Sequence, residues 1–309
     1  MIDQAYIDTV RLLLRVVPDI FKNEIFAMKG GTAINLFVQD MPRLSVDIDV
    51  VYVPRDPSRE EALRAISDEI NLIQKRLEKS GLSVRLSKLD SDSGTKLFIE
   101  DDRSQVKVEV NVVFRGTIFP VVTRSLAAKT AQMFSTTIEA PVLAEAELYG
   151  SKIVAALDRQ HPRDLFDMLK FYEQGDLTPD ILKAVVIYLA GHNRPTHEVL
   201  FGTDKDISTS YANSFVGMTF EESPSLEMLL DVRARLRADI VQRMTGKHRD
   251  FLIGLAEANP DWSLLDCEHA ESLPGLRWKL INLKKFQKNR PSDFASQAEA
   301  LGTLLDRYH

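Results

Sequence analysis

The sequence has a single cysteine, Cys267, among 309 residues, and it has no run of about 18 uncharged apolar residues. One cysteine excludes an internal disulfide and fits a reducing compartment, and the missing apolar run excludes a transmembrane helix. The apolar stretch near the N-terminus is interrupted by Arg11, Arg15 and Asp19, so we expect neither a signal peptide nor a membrane partner. These absences predict a cytoplasmic protein.

An overall basic surplus is also missing, since 39 Lys and Arg face 45 Asp and Glu, a formal net charge of −6. This balance argues against nucleic acid as a partner of the whole surface, but the bases concentrate in segments 233–249 and 277–290. The second segment has no acid and carries Trp278 and Phe286, as in surfaces that bind phosphates and stack on bases. The alternative is a solvated helix face. The candidate RNA-binding residues are Arg233, Arg237, Lys279, Lys284 and Lys285.

Hydrophobic periodicity divides the chain into a mixed first part and a helical second part. Apolar residues at helical spacing predict a helix over 59–80, whereas the run 46–53 is typical of an internal strand. We expect an α+β fold, with a mixed-sheet domain at 1–130 and a mainly helical domain at 131–309. In the first part we further expect a helix opened by Thr32 over 32–39 and strands at 24–29, 82–89, 95–100 and 106–114. In the second part we expect helices at 143–159, 163–175, 179–190, 225–244, 247–258 and 292–307 and a polar loop at 202–214.

Two motifs in the first part point to phosphate and metal chemistry. Lys29-Gly30-Gly31-Thr32 stands at a strand-to-helix junction, where glycines let a phosphate approach free backbone N–H groups, although many such turns are purely structural. Asp47 and Asp49, two residues apart in a strand, share one face. Mg²⁺ is the usual cation for such a carboxylate pair with a substrate phosphate, and an exposed strand face is the alternative.

Glu109, on a later strand, is a candidate third carboxylate that would complete the metal site or act as general base; a solvent-facing charge is the alternative.

In the second part, Lys152 and Arg159 are seven residues apart and share one helix face. They are candidates to bind triphosphate oxygens. Asp164 and Asp167 follow Arg163 at the start of the next helix, where acids are also favoured simply by the helix dipole.

Taken together, three segments resemble the polymerase-β type of nucleotidyltransferase, and more closely the AbiEii/AbiGii toxin family with its MenT-like relatives. The carrying segments are KGGTAINLF (29–37), RLSVDIDVVY (43–52) and KIVAALDRQHPRDLFDM (152–168). This resemblance implies a toxin of a type IV toxin–antitoxin pair that uses an NTP and Mg²⁺, modifies the 3′ end of tRNA and has a cognate antitoxin.

The same resemblance implies roles for individual residues. Gly30, Gly31 and Thr32 would hold the NTP phosphates, and Ser45 would position the nucleotide or the metal-site strand. Asp47 and Asp49 would bind Mg²⁺, Lys152 would neutralise phosphate charge, and Asp164 would be the essential acid of the RDLFD segment. Two alternatives stay open: nucleotidyl transfer of the AMP type to a protein hydroxyl, and a catalytically inactive partner-binding module.

Overall fold

A computed structural model describes residues 4–88 and 95–307. Contacts divide the chain into two compact units. The sheet unit runs to Leu148 and includes Gly217–Glu222, and the helical unit comprises Tyr149–Val216 and the chain from Ser223 onward. The sheet continues past residue 130, where the sequence placed the end of the first domain, since the strand Glu139–Val142 belongs to it.

The sheet unit is built from seven strands and four helices among its described residues. Its elements are α1 (Gln4–Ile20), β1 (Phe26–Lys29), α2 (Gly30–Ala33) continued by a π-helical run (Ile34–Val38), β2 (Asp47–Tyr52), α3 (Arg59–Lys79), β3 (Ser83–Lys88), β4 (Thr95–Glu100), β5 (Gln105–Asn111), β6 (Val122–Ser125), α4 (Ala128–Phe134) and β7 (Glu139–Val142). The strand order is β3-β4-β5-β2-β1-β7-β6, which makes β2 an internal strand, as its apolar run predicted.

The sheet is mixed, which confirms the expected fold class. β2 pairs in parallel with β5 and antiparallel with β1, and β4 and β5 form an antiparallel hairpin. One sheet face is apolar, with Ile48 and Val50 fully buried, and α1 contacts β5 and β7. Because successive side chains of a strand alternate between faces, the polar residues of β2 and β5 lie on the opposite face.

Three sequence predictions in the sheet unit need correction or limits. The helix after β1 begins at Gly30, and the extended Lys29 occupies the N-cap position, so Thr32 is inside the helix and does not cap it. The strand predicted over 106–114 ends at Asn111, whose side-chain carbonyl accepts the backbone N–H groups of Val113 and Phe114 and turns the chain. The strand predicted over 82–89 spans Ser83–Lys88, and residue 89 lies outside the described residues.

The helical unit begins within a helix that starts in the sheet unit. Its elements are α5 (Glu145–Arg159), α6 (Pro162–Gln174), α7 (Pro179–Ala190), α8 (Thr196–Leu200), α9 (Ser208–Ser214), α10 (Leu226–Arg243), α11 (Gly246–Ala256), two short 3₁₀ turns (Trp262–Leu264 and Ala270–Ser272), α12 (Pro274–Asn289) and α13 (Pro291–Arg307).

All six predicted helices of this unit are present. The segment 202–214, predicted as a loop, contains α9, and sequence periodicity did not reveal α12. Within the described residues, no helix is long and apolar enough to cross a membrane.

Candidate active site

A glycine turn lies directly against a carboxylate on the polar face of the sheet. Gly30 has φ +76°, a conformation that residues with a Cβ rarely adopt, and a Cβ added there would lie 2.2 Å from Oδ2 of Asp49. A Cβ at Gly31 would lie 2.9 Å from Nη2 of Arg43 and 3.3 Å from Oγ of Ser45. These two glycines, the glycine turn, are therefore required because the backbone passes close to polar groups.

Thr32 connects the start of the helix to the start of β2. Its hydroxyl donates to the backbone carbonyl of Asp47 and lies 2.9 Å from the hydroxyl of Ser45. Thr32 is 1% exposed, so its side chain holds the two segments together. The glycine turn and the beginning of β2 are thus one locally fixed structure.

The aspartate pair, Asp47 and Asp49, lies beside this turn, and both residues are on the polar face of β2. The side chain of Asp47 is 49% exposed, and the backbone register places Asp49 between Lys29 of β1 and Glu109 of β5. Two carboxylates on one open face can bind a hard cation that completes its coordination with phosphate oxygens and water.

Lysines from two strands accompany the carboxylates on this face. The ammonium of Lys107 lies 3.3 Å from Oδ2 of Asp47 and 3.6 Å from Oε2 of Glu109, and Lys96 lies 3.3 Å from the same Glu109 oxygen. Burial alone would lower the pKa of Lys107, but the charges of Asp47, Glu109 and Asp49 outweigh it and raise that pKa. Glu109 is therefore an ion-pair partner of two lysines.

The donor set fits a metal held by the aspartate pair alone. Among the residues that the structure describes, no group of three or more His, Cys, Asp or Glu side chains is arranged to hold a metal ion. Glu109 thus does not join the aspartate pair in a three-carboxylate cluster. Mg²⁺ commonly uses only one or two protein carboxylates when a substrate supplies phosphates, so two carboxylates suffice.

A buried ion network forms in the helical unit from the residues of the third motif. The ammonium of Lys152 lies 2.8 Å from Oδ1 of Asp164 and 2.5 Å from Oδ2 of Asp167, and these three side chains are 7%, 6% and 0% exposed. Arg159 contacts Asp164 at 2.9 Å from the edge of the network, with its side chain 60% exposed. Burial by itself would raise the pKa of Asp164, but Lys152 and Arg159 hold it below the usual value.

This network separates the roles of its two cations. Lys152 is engaged by two carboxylates, whereas the guanidinium of Arg159 is accessible to an anionic ligand. His161 accepts the backbone N–H of Arg163 at Nδ1 and thereby caps α6 just before Asp164. Its pKa is lowered by burial and by nearby cations, chiefly Arg163, which keeps the accepting nitrogen unprotonated.

The candidate RNA-binding residues fall into different surroundings. Arg233 is 7% exposed and donates to the side chain of Gln160 and the carbonyl of Lys205, and Arg237 binds Asp204. These arginines attach the loop before α9 to α10.

The three candidate RNA-binding lysines of α12 differ in exposure. The ammonium of Lys279 donates to the carbonyl of Arg194 at 3.0 Å, and burial lowers the pKa of Lys279 to about 8. Lys284 and Lys285, in contrast, are exposed.

Two residues of the sheet site were not recognised from the sequence. Arg43 is 4% exposed and lies against Gly31. It belongs to the segment 43–52 that resembles known toxins, and its position two residues before Ser45 was the signal that could have identified it as a site residue. Lys96 meets Glu109 only through the β4–β5 register, which the hairpin turn alone does not determine.

A glycine turn opening a helix, beside an aspartate pair on the next strand of a mixed sheet, defines the nucleotidyltransferase class. The family model "Nucleotidyl transferase AbiEii toxin, Type IV TA system" matches residues 11–280. The chain therefore belongs to the AbiEii family of nucleotidyltransferase toxins. This membership implies an NTP substrate and an antitoxin partner.

Among solved structures, the chain is similar to MenT4, a nucleotidyltransferase toxin from Mycobacterium tuberculosis H37Rv. The TM-score is 0.59 at 15% sequence identity, with 91% of this chain and 94% of that chain covered. At this identity the likeness concerns the fold. No curated protein sequence matches the chain.

Proposed function

We propose that this toxin transfers a nucleoside monophosphate from an NTP to the 3′ hydroxyl of an RNA, with the tRNA 3′ end as acceptor, in the cytoplasm. Such a transfer would block translation by altering the end that carries the amino acid. The observation that carries the proposal is the aspartate pair, fixed on an open sheet face beside the glycine turn. There the backbone N–H groups of the glycine turn would bind the phosphates of the NTP, and a Mg²⁺ ion held by the aspartate pair would neutralise their charge.

In the reaction, the RNA 3′ oxygen forms a bond to the α-phosphorus, and the bond between the α-phosphorus and the bridging oxygen of the β-phosphate breaks. Pyrophosphate leaves, and the hydroxyl proton is released. Bound Mg²⁺ would supply charge neutralisation at the phosphoryl oxygens. The chain's own part is to orient the phosphates through the N–H groups of Gly31 and Thr32 and to hold the carboxylates in place through the Thr32–Ser45 link.

The residues of the helical unit have complementary proposed roles. Asp164 fixes Lys152 and Arg159, and Arg159 is the cation of this group that is accessible to phosphate oxygens. Lys152 then acts by holding the two buried carboxylates of the network in place. Lys29 is proposed to add positive charge beside the glycine turn, while Arg163 and Asp167 support the start of α6.

The test is incubation of the purified full-length chain with total tRNA, Mg²⁺ and each of the four α-labelled NTPs. We expect label in tRNA with at least one NTP, and loss of that label in Asp47→Asn. Asp56→Asn, which removes an exposed carboxylate outside the site, is the matched control and should retain activity. Label on protein would instead favour transfer to a protein hydroxyl, and no label with any NTP would favour an inactive binding module.

A further inference from the structure

One face of α12 presents only basic and apolar side chains to solvent. With 3.6 residues per turn, six exposed residues fall within an arc of about 120° and extend about 16 Å along the helix. Trp278 and Ile281 among them are 45% and 59% exposed, while Leu276 and Leu283 on the opposite side are buried and anchor the helix. These six residues, the α12 face, are Arg277, Trp278, Ile281, Lys284, Lys285 and Lys288.

The cations of the α12 face differ from those of α10 because, in the part of the chain that the structure describes, no carboxylate lies within ion-pair distance of them. In α10, four arginines are each within ion-pair distance of an aspartate; they are Arg233, Arg235, Arg237 and Arg243. Across residues 4–88 and 95–307, no ion pair or hydrogen bond involves the charged groups of four α12 residues, and segment 274–292 contains no acid. These four are Arg277, Lys284, Lys285 and Lys288. Their positive charge is therefore uncompensated.

The chemistry of this face selects RNA over a protein partner. Lysine is depleted in protein–protein interfaces, whereas several lysines around an exposed aromatic ring suit a chain of phosphates with bases that can stack. Because the overall charge is −6, a local cationic strip is also the kind of surface that directs a polyanion to one place on the molecule.

We propose that the α12 face binds the acceptor RNA, with its four cations on the phosphate backbone and Trp278 stacked on a base. This inference rests on the proposed function, since it assigns the surface that holds the RNA substrate of that reaction. It also removes Arg233, Arg237 and Lys279 from the RNA-binding set, because their charged groups are bound to neighbouring groups of the helical unit.

The test is binding of fluorescein-labelled total tRNA to the full-length chain without NTP, by fluorescence anisotropy at several salt concentrations. For Lys284→Glu combined with Lys288→Glu we expect at least about tenfold weaker binding. The slope of the logarithm of the association constant against the logarithm of the salt concentration should be shallower by about two. For Trp278→Ala we expect binding weaker by about five- to 150-fold with an unchanged salt slope, because stacking involves no ion release. Lys284 and Lys288 are exposed, so the thermal unfolding midpoint of the double variant should stay at the wild-type value.

The matched control is Lys22→Glu with Lys79→Glu, two exposed lysines of the sheet unit that give the same change in net charge. Equal loss of binding in this control and in the α12 variant would overturn the proposal, because net charge alone would then explain it. Variants of the α12 face that bind tRNA as tightly as the wild type would also overturn the proposal. This includes variants that keep tRNA binding but no longer bind an acidic protein partner. Incorporation of labelled nucleotide by the wild type, measured in parallel, separates this failure from failure of the proposed reaction.

Discussion

Replacing Lys152 with methionine removes the ammonium that contacts both buried aspartates of α6. Asp164 and Asp167 are 6% and 0% exposed, so neither carboxylate can gain compensating hydration. Breaking a buried ion pair by removing one partner costs about 3–5 kcal/mol, against about 5–15 kcal/mol for the stability of a whole domain. Since Arg159 still contacts Asp164, we expect Lys152→Met to lower the free energy of unfolding by about 3 kcal/mol.

Urea unfolding followed by tryptophan fluorescence measures this change in the correct part of the chain. Both tryptophans of the sequence, Trp262 and Trp278, belong to the helical unit. With an m-value of about 2 kcal/mol/M, the midpoint should fall by about 1.5 M.

Lys170→Met is the control for this measurement, because its ion pair with the half-exposed Glu173 should contribute about 1 kcal/mol or less. Adding Asp167→Leu to Lys152→Met removes one stranded carboxylate and should recover about 1–3 kcal/mol. A Lys152→Met midpoint equal to that of the wild type would contradict this assignment of the buried ion network. It would mean that the ammonium is not bound in the buried ion network and is free to contact phosphate.

Three further predictions concern the sheet site and pH. Gly30→Ala should abolish most nucleotide transfer, because its methyl group would overlap Asp49 of the aspartate pair. The control is Gly81→Ala, at a position with a similar φ of +82° but no atom within 4 Å; it should lose about 1 kcal/mol of stability and keep its activity. Lys107→Met should tighten Mn²⁺ binding, measured by calorimetry, by up to about fivefold because an ammonium next to the metal carboxylates is gone, whereas Lys96→Met should not. Three histidines of the helical unit accept backbone N–H groups at Nδ1, and burial lowers their pKa values below the ordinary 6.5; they are His161, His192 and His248. The contribution of these neutral histidines to folding stability is therefore fully present above pH 6.5 and is lost as the pH falls through their lowered pKa values. The thermal unfolding midpoint should be lower at pH 5.5 than at pH 7.5, and an unchanged midpoint would contradict this prediction.

The sequence predicts those parts of the fold that depend on local patterns. The helix α3 follows from apolar residues three and four apart, and in the structure Ser58 caps its start while Gly81, with a positive φ, lies just beyond its end. For the segment of α12 a helix was only the alternative to an RNA-binding surface, because its buried anchors are few and its remaining positions are mostly basic. The strands β6 and β7 were missed because β6 is an exposed edge strand and β7 contains Pro141.

The candidate site is predictable to the level of residue types but not of their partners. The spacing of Asp47 and Asp49 places both on one face without knowledge of the sheet. The engagement of Glu109 by two lysines depends on the parallel β2–β5 register and on β4, which are long-range pairings. The binding of Lys152 to two carboxylates likewise depends on how α5 and α6 pack, so the sequence favoured a free phosphate-binding lysine.

The position of the transferred label distinguishes nucleotidyl transfer from phosphoryl transfer. Wild-type protein is incubated with total tRNA, Mg²⁺ and the same NTP labelled either at the α- or at the γ-phosphate. With the wild type we expect the α-label in RNA and the γ-label in pyrophosphate, and with Asp47→Asn we expect neither. Transfer of the γ-label to RNA or protein, or unchanged α-label incorporation by Asp47→Asn, would contradict nucleotidyl transfer at the aspartate pair.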